Sequence, residues 1–275
     1  MALLTNDDGA DAAGIVAFRA ALVAVGFDVV TIAPETNHSS AGHGVTTSGY
    51  LDVHQVDDNT FICGGTPSDC VRVGLLTRVM RRPDIVVTGI NHGSNAGEDL
   101  HYSGTVAAAA EAAMLGLPAL AVSQVAETDD FLFTSESPAG FPDADYAARL
   151  ARRVVDAGLP VSTLLSLNLP PERITGPGML AHVGRRDWAS AKVREIGVAD
   201  TTRRFDPWDV SPNVTVESGT DYACLADGAP SVSLLSVRGG LHDVLDQHLS
   251  WAQESASEAL GIGLRTAAAS GRHHQ

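Results

Sequence analysis

Short apolar runs alternate with segments of helical periodicity through the first 170 residues of the chain. The apolar run over residues 1–4 predicts a strand, and the run over residues 28–33 predicts a second one. Between them, apolar residues recur at the spacing of one helix face, at Ile15, Phe18, Leu22 and Val25. Gly26 is placed to end that helix. The pattern therefore predicts a strand, a helix and a second strand.

The same alternation continues toward the middle of the chain. Residues 71–80 and 106–115 have the pattern of helices, whereas residues 85–88 and 119–122 have the pattern of buried strands. Strands that alternate with helices predict a parallel sheet covered on both faces. We therefore expect an α/β protein with a Rossmann-like, three-layer α/β/α catalytic core and a mostly parallel sheet over residues 1–170.

The alternation fades beyond residue 170. Turns, charges and isolated aromatic residues fill residues 171–240, which predicts an extension with a hairpin and a returning strand over residues 231–237. Apolar residues then mark one face of a further segment, at Leu241, Leu245, Leu249 and Ala252. Residues 241–275 therefore predict a C-terminal helix with a frayed tail.

Composition narrows the range of functions. With 275 residues and 44% hydrophobic content, the chain can bury a large core. The formal net charge of −15 argues against a nucleic-acid polymer as partner, because such binding depends on many contacts from Lys and Arg to phosphate. An anionic substrate must then be small, with its charge compensated locally. Lys192 is the only lysine in the sequence, which disfavours mechanisms that require one.

Cysteine usage and hydropathy bear on the cellular compartment. Cys63, Cys70 and Cys224 are odd in number and lack CxxC spacing, which is typical of buried free thiols in a reducing compartment. No apolar run is long enough to span a bilayer, and the first residues lack the pattern of a secretory leader. We therefore expect a cytoplasmic protein with no membrane partner.

Two adjacent acids, Asp7 and Asp8, directly follow the first predicted strand and precede Gly9. Successive side chains of a strand point to opposite faces, so both carboxylates reach one ion only where the backbone turns, as Gly9 permits. A hard cation would relieve their mutual repulsion. However, Asn-Asp-Asp-Gly is also good turn chemistry, so a solvated turn and a metal site are both open interpretations.

Polar residues also follow the other predicted strands. In a parallel sheet, ligands bind outside the carboxyl ends of the strands, so these residues gather at one edge. They are Asn37, His38, Ser39 and Ser40 after the second strand, and Asn91 and Asn95 after the strand over residues 85–88. Asp7, Asp8, a serine hydroxyl and the Asn91 amide oxygen form a donor set that suits Mg²⁺ or Mn²⁺ better than zinc.

The segment Tyr102-Ser103-Gly104-Thr105 opens an alanine-rich helix. The first turn of a helix exposes unpaired N–H groups and the positive end of the helix dipole, so it is suited to binding phosphate. The alternative is ordinary capping by Ser103 or Thr105. Proximity to the loop that contains Asn91 and Asn95 favours the phosphate site.

Other titratable residues in these loops have weaker signals. The histidines are suited to zinc ligation or proton transfer, although each by itself is a common loop residue: His38, His43, His92 and His101. Asp69 follows Gly-Thr-Pro-Ser, and we expect it to cap a helix and brace a loop. We expect Arg72 on a solvated face.

Five separate motifs occur in the first half of the chain: Thr5-Asn6-Asp7-Asp8-Gly9, Asn37-His38-Ser39, Gly65-Thr66-Pro67-Ser68-Asp69-Cys70, Gly89-Ile90-Asn91-His92-Gly93-Ser94-Asn95-Ala96-Gly97 and Tyr102-Ser103-Gly104-Thr105-Val106. Their order and spacing resemble the SurE family of metal-dependent 5′/3′-nucleotidases. The resemblance extends to Ser123 and resumes weakly at Asn168 and at Gly219-Thr220-Asp221.

The resemblance implies a phosphomonoesterase that hydrolyses nucleoside 5′- and 3′-monophosphates to nucleoside and phosphate, and in some members short polyphosphate. The metal ligands of the family fall on Asp7, Asp8, Ser39 and Asn91. Its phosphate contacts fall near Asn95 and residues 103–105.

These correspondences imply roles for individual residues. Asp7, Asp8 and Asn95 are the expected catalytic residues, with a bound Mg²⁺ or Mn²⁺ polarising the attacking water. The expected phosphate-binding residues are Ser40, Asn95, Ser103, Gly104 and Thr105. Family members are usually homodimers or homotetramers built through C-terminal elements, which would give the extension over residues 171–240 a role in oligomerisation.

The chain departs from the family pattern at Thr5 and Thr88, where serine is usual. In the late strand, family members usually have a Thr-Pro pair, which is missing from residues 233–238 of this chain. We therefore assign no catalytic role to a C-terminal residue such as His242.

Two other functions remain open. A covalent aspartyl phosphatase of the haloacid dehalogenase type would use Asp7 as nucleophile, but it needs a second acid at position 9 and a supporting lysine. A non-catalytic receiver-like module also binds Mg²⁺ through paired acids, but it needs a late lysine.

The sequence argues against a dinucleotide-binding module. Such a module would need GxGxxG spacing, which the glycines after residue 88 lack.

Overall fold

Six neighbouring parallel strands form the centre of the sheet in the computed structural model, which describes residues 1–126, 138–210, 213–248 and 265–266. In spatial order they are β7 (Thr163–Leu169), β6 (Ala119–Gln124), β5 (Ile85–His92), β1 (Ala2–Thr5), β2 (Val29–Pro34) and β4 (Thr60–Cys63). From β1 the chain builds outward to β2 and β4, and then returns to add β5, β6 and β7 on the other side. The direction of building therefore reverses between β1 and β5, and a crevice opens at the carboxyl ends of these two strands.

Additional strands extend both edges of this parallel sheet. β3 (Val53–Asp57) pairs antiparallel with β4 at one edge, and β13 (Ser231–Ser236) pairs antiparallel with β7 at the other. Three short strands lie beyond or beside β13: β8 (Met179–Leu180), β14 (His242–Asp243) and β15 (Arg265–Thr266). The returning strand expected over residues 231–237 is therefore confirmed as β13.

Helices cover both faces of the sheet. α1 (Ala13–Ala24) and α4 (Ala144–Ala157) pack on one face, and α2 (Pro67–Leu76) and α3 (Gly104–Met114) pack on the other. Adjacent residues of β1 show why two layers are needed, since Leu3 and Leu4 are both fully buried and belong to opposite hydrophobic clusters. The mostly parallel, three-layer α/β/α architecture expected from the sequence is confirmed.

Helix α2 begins earlier and ends earlier than residues 71–80. Thr66 caps its first turn reciprocally with Asp69, because the Asp69 N–H donates to Thr66 Oγ1 (3.2 Å) and the Thr66 N–H donates to the Asp69 carboxylate (3.0 Å). At the other end, Thr77 has extended backbone dihedrals and its hydroxyl donates to the Val73 carbonyl (2.6 Å). Local capping hydrogen bonds therefore set both ends of α2, and the spacing of apolar residues does not indicate them.

The extension after the core contains the expected hairpin. β10 (Lys192–Ala199) and β11 (Thr202–Val210) pair antiparallel with each other, and all eight residues of β10 are exposed. A second pair, β9 (Arg185–Asp187) and β12 (Asn213–Thr215), lies at its base, and α5 (Asp221–Ala226) follows.

The helix expected from Leu241 is wrong for residues 241–248, where the chain forms β14 and a 3-10 helix over Leu245–His248. β14 pairs antiparallel with β13, and the Asp243 carboxylate accepts a hydrogen bond from the Val183 N–H (2.9 Å), so this segment is bound to the edge of the sheet. These tertiary bonds override the helical spacing of the leucines. The rest of the expected helix and tail, from Leu249, lies outside the described residues, apart from β15.

Two further observations concern the cysteines and the length of the helices. All three cysteines are buried and form no disulfide. None of the helices in the described ranges has both the length and the apolar content needed to cross a bilayer.

Gly14 provides a test of how closely α1 packs against the end of β5. A Cβ atom at this position would lie 2.0 Å from the Ile90 carbonyl oxygen. Alanine normally favours a helix over glycine by about 1 kcal/mol. We expect Gly14→Ala nevertheless to lower the free energy of unfolding by about 1–3 kcal/mol, measured by urea denaturation, because overpacking outweighs helix propensity.

The matched control is Gly197→Ala in the exposed hairpin, where a Cβ atom would meet no other atom within 4 Å. This variant should unfold like the unmodified protein. A Gly14→Ala variant as stable as the control would contradict the close packing of α1 on β5.

Candidate metal and phosphate site

The paired aspartates lie in a turn at the carboxyl end of β1. Asn6 closes this turn, because its side-chain nitrogen donates to the Gly9 carbonyl (2.8 Å) and its side-chain oxygen accepts from the Gly9 N–H (3.2 Å). Gly9 has a φ of +109°, which glycine tolerates far better than other residues. The turn and the metal site are therefore compatible interpretations, since the turn is what presents both carboxylates to the crevice between β1 and β5.

The first turn of α3 holds Asp7. The Thr105 hydroxyl donates to one carboxylate oxygen (2.7 Å), and the Thr105 N–H donates to the other (3.2 Å). Asp7 is only 3% exposed. Burial raises the pKa of Asp7, and the hydrogen bonds from Thr105 and the charge of His38 offset this rise only in part.

Asp8 lies closer to solvent and is held by two neighbouring elements. Its carboxylate accepts hydrogen bonds from the Asn37 side-chain amide (3.2 Å) and from the backbone of His92. Burial and the adjacent charge of Asp7 together raise the pKa of Asp8 to about 7, despite these hydrogen bonds. A cation between the two carboxylates would allow both to ionise at neutral pH.

The loop after β2 brings the predicted serines toward this pair. The His38 N–H donates to the Asp7 carbonyl (2.7 Å), and the Ser39 N–H donates to the Asn37 side-chain oxygen (2.7 Å). Asn37 therefore positions Ser39 with one end of its amide and binds Asp8 with the other. Ser39 and Ser40 are both exposed, and Ser40 has a φ of +63°.

Two acids anchor the far end of the same loop. The Asp69 carboxylate accepts from the Thr46 hydroxyl (2.7 Å) and from the Thr46 N–H (3.1 Å), in addition to its capping role. The buried Glu111 of α3 accepts from His43 (2.9 Å) and from Arg72 (2.8 Å). Asp69 has the structural role expected for it, whereas Arg72 forms an ion pair rather than merely lying on a solvated face.

The third predicted ligand loop follows β5. The Asn91 side-chain nitrogen donates to the Gly93 carbonyl (2.8 Å), which leaves its side-chain oxygen as the amide group suited to a cation. Asn95 is fixed by the ends of two other strands, since its N–H donates to Asn168 (2.8 Å) and its side-chain nitrogen donates to Ser123 (2.7 Å). Four parallel strands therefore contribute to the position of this loop and the paired acids.

The start of α3 is capped by a side chain and keeps one backbone N–H unpaired among the described residues. The Ser103 hydroxyl accepts from the Val106 N–H (3.0 Å), and Thr105 is bound to Asp7 as described. The Gly104 N–H has no hydrogen-bond partner among the described residues. A Cβ atom at Gly104 would lie 2.9 Å from the Asp7 side chain, so glycine is required for this close approach. Phosphate contacts by Ser103 and Thr105 themselves remain predictions.

Sequence reasoning did not assign the residues that support the loop after β5 from behind. The buried Asp221 carboxylate accepts from the N–H groups of Gly97 (2.7 Å) and Gly184 (2.9 Å), and the Tyr222 hydroxyl donates to the Ala96 carbonyl (2.9 Å). The motif Gly219-Thr220-Asp221 was the available signal. Gly97 lies 124 residues before Asp221 in the sequence and Gly184 lies 37 residues before it, so spacing could not reveal these contacts.

The chemistry of the donor set fits a hard divalent cation. No three His, Cys, Asp or Glu side chains converge as a metal-binding cluster in the parts of the chain that the structure describes. The predicted ligand set instead consists of two carboxylates, a serine hydroxyl and an amide oxygen. An all-oxygen set of this kind suits Mg²⁺ or Mn²⁺.

Comparisons with known proteins agree with this fold. The profile of the family described as Survival protein SurE matches residues 2–190. The 5′-nucleotidase SurE of Pelobacter propionicus is 42% identical over 189 residues, which cover 68% of this chain and 73% of that protein. The 5′-nucleotidase SurE of Geobacter sulfurreducens is 39% identical over 239 residues, covering 85% and 86%.

A solved structure extends the agreement to three dimensions. The crystal structure of the SurE protein from Aquifex aeolicus superposes with a TM-score of 0.70 at 33% sequence identity, and the match covers 86% of this chain and 92% of that one. Sequence identity over most of the chain and a shared fold lead to one conclusion: the protein belongs to the SurE family.

Proposed function

We propose that this protein is a 5′-nucleotidase, a phosphoric monoester hydrolase that converts nucleoside 5′-monophosphates to nucleoside and phosphate. The observation that carries the proposal is the contact between Asp7 and the first turn of α3, which places paired carboxylates beside an unpaired backbone N–H at Gly104. The curated relatives carry the name 5′-nucleotidase. We extend the proposal to nucleoside 3′-monophosphates and short polyphosphate, which present the same terminal phosphate group.

The proposed cofactor is Mg²⁺ or Mn²⁺, held by Asp7, Asp8, Ser39 and Asn91. The raised pKa of Asp8 and the all-oxygen donor set support this assignment. When bound, such an ion acts as a Lewis acid toward phosphate and lowers the pKa of bound water.

The remaining chemistry belongs to residues of the chain. The Gly104 N–H and the positive end of the α3 dipole bind phosphate oxygens, with Asn95 and Ser40 as further donors. Ser103 and Thr105 complete this phosphate-binding group in the proposal. Asp7, Asp8 and Asn95 are the proposed catalytic residues, with one aspartate accepting a proton from the attacking water and Asn95 stabilising negative charge at phosphorus.

The covalent aspartyl phosphatase mechanism has less support. Asp7 would be its nucleophile, yet Asp7 is almost fully buried and Thr105 hydrogen-bonds to both of its oxygens. Lys192, the only candidate for the supporting lysine, lies in the exposed strand β10.

We also propose a homodimer or homotetramer that forms through the extension over residues 171–240. The exposed hairpin supports this, because its apolar side chains are not packed into a hydrophobic core within the described part of the chain: Val193, Ile196, Val198 and Phe205 are each at least 50% exposed.

The free, buried thiols support a cytoplasmic location. The acidic net charge supports a small nucleotide as substrate rather than a nucleic-acid polymer.

Asp8→Asn tests the catalytic assignment. The variant keeps the shape of the side chain but removes the charge that attracts the cation. We expect kcat/KM for phosphate release from a nucleoside 5′-monophosphate with Mn²⁺ to fall by roughly 100-fold or more, with an unchanged circular dichroism spectrum. The matched control is Asp11→Asn, an exposed acid three positions away, which should retain activity. Full activity of Asp8→Asn would refute the site.

The pKa of Asp8 predicts how metal affinity depends on pH. Protons compete with the cation for this carboxylate, whose pKa is about 7 without metal. The ionised fraction therefore falls about tenfold between pH 8 and pH 6, and the Kd for Mn²⁺ measured by isothermal titration calorimetry should rise by about the same factor. Equal Kd values at the two pH values would count against Asp8 as a ligand.

Charged substitutions in the hairpin test the oligomer. We expect the double variant Ile196→Glu, Val198→Glu to have a lower molar mass than the unmodified protein in size-exclusion chromatography with light scattering, because buried charge disfavours an apolar interface. The control is Val16→Glu, Val23→Glu, which alters exposed apolar residues of α1. A monomeric unmodified protein, or an unchanged mass in the hairpin variant, would contradict the proposal.

A further inference from the structure

Two half-exposed aromatic rings contact each other beside the phosphate site. The ring centroids of Tyr102 and Trp188 lie 6.3 Å apart with an angle of 62° between the ring planes. Their residues are 55% and 43% exposed, respectively. The rings form an open corner rather than a closed stack, so a planar group can lie on one ring with its edge against the other.

Tyr102 belongs to the rim of the crevice. It is two residues before Gly104, so the Cα atoms of these residues are at most about 8 Å apart. The Tyr102 carbonyl also accepts a hydrogen bond from the Gly42 N–H (2.9 Å), which places its backbone against the loop that contains Ser39 and Ser40. A phosphate ester bound at Gly104 therefore has Tyr102 within reach of its organic group.

Trp188 reaches the same rim from the extension and is held there by polar contacts. Its indole N–H donates to the Glu98 carboxylate (2.9 Å), and the same carboxylate oxygen accepts from the Arg186 N–H (2.9 Å). The Arg186 side chain pairs with Asp99. Both acids lie in the 3-10 helix over Gly97–His101 that leads directly to Tyr102. The exposed indole is thus fixed before any ligand arrives, which lowers the entropic cost of binding to it.

We propose that Tyr102 and Trp188 form a stacking platform for the nucleobase of the substrate. This inference rests on the proposed nucleotidase function and identifies the part of the substrate that the phosphate site does not contact. Stacking needs no positive charge, so it suits a strongly acidic protein, and it accepts purines and pyrimidines because every base has a π face. The platform therefore favours nucleotides over other phosphate monoesters without strict selection among bases.

Substrates with and without a base separate stacking from a structural role. We expect Trp188→Ala to raise KM for adenosine 5′-monophosphate about tenfold with little change in kcat. KM for ribose 5-phosphate, which has the same phosphate and sugar but no base, should stay within twofold. Trp188→Phe should restore most of the lost affinity, because it returns an aromatic face. Tyr50→Ala, which removes a 98% exposed ring next to the edge strand β3, is the control and should behave like the unmodified protein.

Equal KM increases for both substrates would overturn the proposal, because they would show that Trp188 only supports the fold of the site. Unchanged KM values for both would overturn it as well. Calorimetric binding of adenosine 5′-monophosphate in the presence of EDTA gives a readout that does not depend on hydrolysis. Suppose that the protein shows no phosphatase activity but binds adenosine 5′-monophosphate, and that Trp188→Ala weakens this binding. That result would support the stacking platform and refute the nucleotidase function, so failure of one proposal can be distinguished from failure of the other.

Discussion

The rest of the site depends on the adjacent negative charges of Asp7 and Asp8. Neither carboxylate forms an ion pair with lysine or arginine within the described ranges. Burial raises the pKa of both, and the charge of Asp7 raises the pKa of Asp8 further. Such a pair is costly in a folded protein unless a cation joins it. The hydrogen bonds from Thr105 keep Asp7 oriented despite that cost, and they also attach α3 to the end of β1.

The order of the strands explains why this pair lies in a crevice. The sheet builds outward in both directions from β1, so the loops after β1 and β5 diverge to opposite faces and leave space between them. Contacts distant in sequence fix two of the loops around this crevice: Asp69 and Glu111 hold the loop after β2, and Asp221 holds the loop after β5. None of these three acids is among the proposed metal ligands or phosphate-binding residues. The positions of the site residues therefore depend on contacts from residues spread over much of the chain.

Local signals in the sequence predicted the core of this arrangement. Strand and helix periodicity gave the α/β/α layers, and the residues after each strand gave the edge where Asp7, Asp8 and Asn91 gather. Tertiary contacts set what the sequence could not predict. Hydrogen bonds to Asp243 replaced the expected helix at Leu241, and the support from Asp221 depends on a partner 124 residues away. The ligand and phosphate roles of individual residues remain predictions.

Anomalous diffraction from crystals soaked with Mn²⁺ tests the central claim most directly, because it locates the ion without relying on activity. The account predicts one strong peak at the crevice between β1 and β5, at roughly 2–2.5 Å from oxygens of Asp7 and Asp8. Ser39 and Asn91 should supply further oxygens or bind the water molecules of that ion. A peak elsewhere, or no peak between the two carboxylates, would contradict the account.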